Sequence, residues 1–278
     1  MRVLTPTTLE QALDLMSRNV GLTSVAGGTD LLVAWHQHDK RDWRLLDLSR
    51  LEAELRPTRL TADALELGAL TTYWDVIANR EVAGAFPLLA QAARQVGAMQ
   101  IQTRGTWAGN IGNGSPAADG VPVMMAYEAT VVLQSTRGRR EVPLDQYWTG
   151  YKQSVRRTDE LIVAIRMPRR HRQVEWFEKV GARSAQTIAK LGVAVVHDEA
   201  GWRIAANSVA PYVCRCRNVE AALQAGRAFA SPQELRALLA ADIAPIDDLR
   251  STAEYRLNVL ARLLYFGLKP QTHGPAHG

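Results

Sequence analysis

Apolar residues recur at helical spacing near the start of the chain. Leu9, Ala12, Leu13 and Met16 share one face of Thr8 to Arg18, with Thr7 or Thr8 placed as N-cap and Glu10 in the first turn. Leu22 to Ala26 reads as a short strand, and the apolar run Asp30 to His36 as a packed helix or turn behind it. Arg44 to Leu48 and Leu65 to Ala69 read as strands, Thr71 to Val76 as an N-capped helix, and Phe86 to Val96, rich in Ala, Leu and Gln, as a stronger helix. Val121 to Tyr127 predicts a buried helix and Ala129 to Ser135 a strand, which Arg137-Gly138-Arg139 turns back into Glu141-Val142-Pro143. After Met167-Pro168 the charged run Arg169 to Gln173 is the best candidate linker. Beyond it come strands at Val174 to Val180, Leu191 to Asp198 and Trp202 to Val209, then helix from Val219 through Leu264. Helices alternating with short strands indicate an α+β fold. The division expected is 1–172, itself in two lobes split near 55, then 173–270, then a fraying tail over 271–278.

Two glycine-rich segments about eighty residues apart interrupt this pattern: Ala26-Gly27-Gly28-Thr29-Asp30, and Gly105 to Asn110 running on to Ser115-Pro116-Ala117-Ala118-Asp119. Each follows a regular element and ends in small polar residues, as is required where backbone N–H groups must approach phosphate oxygens with no Cβ in the way. They read as two walls of one dinucleotide site. Neither is a Gly-x-x-x-x-Gly-Lys-Ser/Thr loop, and no Gly-x-Gly-x-x-Gly follows a strand, which argues against a P-loop nucleotidase and an ordinary NAD dehydrogenase. A side chain at Gly28, as in Gly28→Val, is expected to obstruct the phosphate approach.

Composition narrows the choice further. With 47% hydrophobic and 22% charged residues, the 278-residue chain has the profile of a globular protein with a sizeable core. No apolar run approaches the roughly 20 residues of a membrane span, and no secretory h-region opens the chain, so a cytoplasmic location is expected. The net charge of +5 gathers at Arg137 to Arg140, Arg156-Arg157 and Arg166 to Arg172, implying a basic face; without interleaved aromatic reader motifs it does not indicate nucleic acid. Cys214 and Cys216 are too few and too close for a cluster or an easy disulfide and read as structural thiols. His36 and His38 lack a third ligand, so no metal is expected. Of the seven scattered tryptophans, only Trp107 sits inside a glycine segment. Asp30 and Asp119 have two readings, as helix caps or as acceptors for sugar hydroxyls. No Gly-x-Ser-x-Gly elbow or Cys–His pair supplies a nucleophile.

Taken in order, Val25 to Asp30, Leu67 to Thr72, Gln100-Ile101, Gly109-Asn110-Ile111, Ser115 to Asp119, Asp159-Glu160-Leu161, Met167-Pro168 and Lys179 with Arg183, Ile188, Ala189 and Lys190 form a series. From about Thr7 to about Gly267 the chain resembles the FAD-binding medium subunits of the molybdenum hydroxylases, the group that includes xanthine dehydrogenase and carbon monoxide dehydrogenase. The resemblance implies a two-part FAD-binding domain of mixed short strands and helices, followed by a smaller C-terminal domain of antiparallel strands packed on helices. It implies that Thr23, Ser24, Val25, Ala26, Gly27, Gly28, Thr29 and Asp30 wrap the FAD pyrophosphate. Gly105, Thr106, Trp107, Ala108, Gly109 and Asn110, with Ile101 ahead of them, would form the facing loop; Asp119 would bond the ribityl or phosphate region, and Leu161 and Lys179 would lie beside the cofactor. Two departures stand out: Ala108 where the family commonly has glycine, and Gln102-Thr103 in place of Arg-Asn. A left-handed backbone at Ala108 would cost roughly 1 kcal/mol or more; a negative φ would make the methyl harmless.

The resemblance further implies an electron-transfer role between iron–sulfur centres on a partner and NAD, a quinone or oxygen. The molybdenum cofactor would sit on a large subunit and 2Fe-2S clusters on a small one, with the holoenzyme leaning toward a xanthine dehydrogenase. The extra iron–sulfur insertion of the hydroxybenzoyl-CoA reductase branch is missing from this sequence. Two alternatives remain at this point: a flavin-free assembly subunit that kept the fold, favoured by Ala108 and Gln102-Thr103, and a free-standing flavin oxidase.

Overall fold

Helix α1 (Leu9–Arg18) forms where the period places it: Thr8 Oγ1 accepts the Gln11 N–H at 3.2 Å, and Ala12, Leu13 and Met16 are buried. The computed structural model describes residues 1–33, 43–183 and 186–269. The short strands β1 (Arg2–Leu4), β2 (Thr23–Val25) and β3 (Arg44–Asp47) pair in parallel in the order β1-β3-β2. The predicted strands at Leu22 to Ala26 and Arg44 to Leu48 are therefore present. Of the apolar run Asp30 to His36, residues 30–33 form a turn; its remainder, with Trp35, His36 and His38, lies outside the described residues, as does the 271–278 segment.

The second lobe is an antiparallel sheet in the order β4-β5-β10-β6-β7, built from β4 (Thr58–Leu60), β5 (Ala64–Gly68), β6 (Thr130–Ser135), β7 (Gly138–Pro143) and β10 (Leu161–Pro168). Between β5 and β6 the chain runs through α3 (Tyr73–Ala78), α4 (Arg80–Ala85), α5 (Pro87–Gln95), α6 (Met99–Gln102), α7 (Trp107–Asn113) and α8 (Gly120–Ala126). One short helix, α2 (Glu52–Leu55), precedes β4, and a small hairpin, β8 (Trp148–Gly150) with β9 (Gln153–Ser154), follows β7. The N-cap predicted at Thr71 to Val76 is a capping box. Thr72 Oγ1 accepts the Asp75 N–H at 3.1 Å, and Asp75 Oδ2 accepts the Thr72 N–H at 2.8 Å.

The C-terminal domain is a four-stranded antiparallel sheet, β11 (Arg172–Val180), β12 (Leu191–Asp198), β13 (Gly201–Asn207) and β14 (Cys214–Arg215), in that order, with α9 (Arg217–Gln224), α10 (Pro232–Asp242) and α11 (Ala253–Gly267). Alternation decides which face meets which neighbour. Leu191, Val193 and Val195 join the core with α9, α10 and α11, whereas Ala194 and Val196 join the core of the first domain. Burial on both faces is why this strand reads as an unbroken apolar run. The helical stretch from Val219 is broken twice, after Ala225 at Gly226 (φ +74°) and between Asp242 and Ala253.

Charged residues tie the domains together. Arg172 stacks over Phe86 (4.5 Å to the ring centroid) and Tyr127 (4.3 Å) and donates to the Ala85 carbonyl at 2.7 Å. Arg203 in β13 donates to Ala126 O in α8 at 3.1 Å while its guanidinium holds Asp198, and Arg170 pairs with Glu128. Other members of the basic clusters pair within the first domain: Arg137 meets Asp159 at 2.7 Å and Arg140 meets Glu160 at 2.6 Å. Part of the basic face expected from the sequence is thus neutralised within the molecule.

Candidate functional site

The first glycine turn leaves β2 at Val25 and closes on itself, with the Leu32 N–H donating to Gly28 O at 2.9 Å. Gly28 has φ +72°, a conformation that disfavours any side chain. A Cβ there would meet only Leu32 and Val25 side chains, at 3.7 Å or more, so no protein atom is crowded by it. The steric demand falls on Gly27: a Cβ there would lie 1.7 Å from Arg104 O and 2.5 Å from its carbon. The two glycine segments therefore touch backbone to backbone.

The second turn is assembled from below by the Leu67 to Thr72 series. The Tyr73 N–H donates to Gly105 O at 3.1 Å, and the Trp107 N–H donates to Thr71 O at 3.2 Å. Thr106 Oγ1 caps α7 by accepting the Gly109 N–H at 2.9 Å, and a Cβ at 109 would come to 2.8 Å from that oxygen, so the hydroxyl would have to shift. Ala108 falls in the first turn of α7 and is not among the residues with positive φ, so its methyl carries no left-handed strain.

Between the turns lies a cleft of about 840 Å³, in the upper part of the roughly 300–1,000 Å³ range of small-molecule sites. Thr23 to Asp30, Ile101, Gly105, Thr106, Ala108, Gly109, Asn110, Asp119 and Leu161 all line it. Trp107, which the resemblance placed in the facing loop, does not line it. Its indole is fully buried, donates to Thr72 O at 3.2 Å and packs edge-on to Tyr73 at 4.9 Å. Lys179 does not line the cleft either: its ammonium stands behind Asp119, 2.7 Å from Oδ2, and donates to Gln95 O at 2.9 Å.

Asp119 makes no side-chain cap for α8, so its cap reading is set aside. Burial lifts its carboxyl to about 6, against which Lys179 pulls downward. Burial also raises Asp30, opposed by Lys152. Tyr73, fully buried between them, is held well above the usual phenol range by burial and then by the charges of Asp30 and Asp119. Two oxygens, Asp119 Oδ1 and Asn110 Oδ1, are buried without a hydrogen-bond partner. Acceptors stranded in this way are costly and point to a ligand that brings donors. Sequence reading missed Lys152 and Arg156, both on the cleft wall. Lys152 sits at φ +53° in the β8–β9 turn, a position that only the folded hairpin brings near Asp30.

These features fit FAD. Glycine backbone without Cβ cover suits a diphosphate, orphaned acceptors suit ribityl or ribose hydroxyls, and Ile101, Val96 and Leu161 offer apolar surface to a ring. Elsewhere the chemistry is quiet. Burial pushes the Cys214 thiol up to about 12 and Cys216 well above its ordinary range, and among the described residues no cluster could hold a metal. No described helix is long and apolar enough to cross a membrane.

Fold and site together define a two-domain protein with a cleft of dinucleotide size between two facing glycine turns. The family model for the FAD binding domain in molybdopterin dehydrogenase matches residues 1–170, and that for the CO dehydrogenase flavoprotein C-terminal domain matches residues 176–270. The chain is 32% identical over 266 residues to the xanthine dehydrogenase FAD-binding subunit of Escherichia coli O157:H7, covering 91% of this chain and 89% of that one. It is also 32% identical over 248 residues to the carbon monoxide dehydrogenase medium chain of Hydrogenophaga pseudoflava, covering 86% and 85%. A solved carbon monoxide dehydrogenase from Hydrogenophaga pseudoflava superposes with a TM-score of 0.88 at 31% identity, covering 96% of both chains. The chain belongs to the FAD-binding subunits of the molybdenum hydroxylase family.

Proposed function

We propose that the chain is the electron-transfer subunit of a molybdenum hydroxylase, working with a large molybdopterin-binding subunit and a small iron–sulfur subunit and serving NAD or another acceptor. When bound, FAD supplies the redox chemistry, exchanging electrons at its isoalloxazine ring. The chain's own residues bind and orient. Gly27 and Gly28 with Gly105 to Gly109 seat the diphosphate; Asn110 and Asp119 accept sugar hydroxyls; Ile101 and Leu161 cover apolar ring surface. Lys152 and Arg156 balance the ligand's negative charge from the cleft wall.

The observation that carries this reading is the contact of Gly27 with Arg104, which makes one site of two segments distant in sequence. The flavin-free alternative loses its main support, because Ala108 is helical and its methyl is tolerated. A purine holoenzyme is supported by the match to the xanthine dehydrogenase subunit, and carbon monoxide has equal standing through the Hydrogenophaga chain.

The test is purification of the native complex. Larger chains carrying molybdenum and iron are expected to accompany this one, and anaerobic addition of xanthine or carbon monoxide is expected to bleach its flavin, with colour restored by NAD or another acceptor. A chain that purifies alone and whose flavin responds to no substrate contradicts the proposal.

A further inference from the structure

Lys179 belongs to β11 of the C-terminal domain, yet its charge is used in the first domain. The ammonium is held by the Gln95 carbonyl at the end of α5 and by Asp119 Oδ2, with the two ionic side chains only 4% and 12% exposed. The other oxygen of Asp119, Oδ1, is buried without a partner, and the residue lines the cleft that Lys179 does not reach. One carboxylate oxygen is thus neutralised and the other unpartnered.

We propose that Lys179 is a positioning residue that acts through Asp119, keeping the carboxylate ionised and turned so that Oδ1 accepts a hydroxyl of the bound flavin dinucleotide. The C-terminal domain thereby takes part in cofactor retention without touching the cofactor. This inference rests on the FAD reading above.

The charges around Asp119 explain why the ammonium is needed. Burial is the dominant influence on the carboxyl and favours its neutral form. Tyr73 faces it from α3 as a neutral phenol, and Asp30 on the first turn adds a like charge near the same ring. Lys152 and Arg156 line the cleft, but Lys179 alone is in ion-pair contact with Asp119 among the described residues. A protonated Asp119 is a weaker acceptor and loses its hold on Lys179.

A mere brace between domains and a positioning residue differ in their pH behaviour. The full chain, freed of cofactor, is titrated with FAD by flavin fluorescence from about pH 5 to about pH 9. The parent is expected to bind best above about 6 and to lose affinity as Asp119 protonates. In Lys179→Met the midpoint of that loss is expected to move up by about 1–3 pH units, and Lys179→Arg to move it back toward the parent. An unshifted midpoint in Lys179→Met, with affinity lowered equally at every pH or unchanged, overturns the inference and leaves the FAD reading standing. If that variant does not fold, Asp119→Asn decides: a flat, weakened profile supports the inference, and a surviving step near pH 6 overturns it. Failure of the parent to bind FAD at any pH removes both readings.

Discussion

At Gly27 even one methyl group has nowhere to go, because the backbone of Arg104 already fills the space. Gly27→Ala is expected to force the turns apart and abolish FAD retention, whereas Gly28→Ala, which crowds no protein atom, should cost roughly 1 kcal/mol of stability through left-handed strain and weaken FAD retention less. Flavin content after gel filtration and thermal melts of the two variants check this ordering. The sequence marked both glycines as special but not which one is sterically forced, since that depends on a carbonyl almost eighty residues away. Lys152 and Asp119 divide in the same manner. Asp119 was legible because it closes a motif of small residues, while Lys152 reaches the cleft only through the β8–β9 turn, a placement that no local pattern encodes.

Among the elements, α7 is short and depends on its fastenings: the Thr106 cap, the Trp107 indole on Thr72, and the Trp107 amide on Thr71. Trp107→Ala is expected to destabilise the protein by about 3–5 kcal/mol through the cavity it leaves, and Thr106→Val by about 1 kcal/mol through the lost cap. Denaturant unfolding measures both, with flavin loss expected to follow helix loosening. Most elements were readable from period and capping, including α1, α3, α5 and the C-terminal strands. What period does not reveal is direction: Trp107 lies in a glycine-rich segment, yet its ring turns inward to the Tyr73 side of the helix.

Across the whole molecule, buried and part-buried arginines replace a loose hinge. Arg203, almost fully buried, joins β13 to α8 and holds Asp198, whose carboxyl lies below its ordinary value of 3.8 through the hydrogen bond and charge of that guanidinium. Because the folded value is the lower one, the contribution of Asp198 is complete above the ordinary value and is lost as the pH falls through the folded one. Arg203→Met is expected to cost about 3–5 kcal/mol at neutral pH, and the gap from the parent should narrow in melts below about pH 4. The charged run read as a candidate linker illustrates the limit of composition: Arg169 to Arg172 look solvated in the sequence, but Arg170 and Arg172 find Glu128, Phe86 and Tyr127 only once the sheets are packed.

The central claim, that two converging glycine turns seat the diphosphate of a flavin dinucleotide, is tested most directly by titrating the cofactor-free full chain with FAD and with riboflavin, which lacks the diphosphate. Binding of one FAD per chain at least about 100-fold tighter than riboflavin, a difference of about 2.7 kcal/mol, is the predicted result. Equal affinity for the two, or binding of neither to a folded chain, would contradict it.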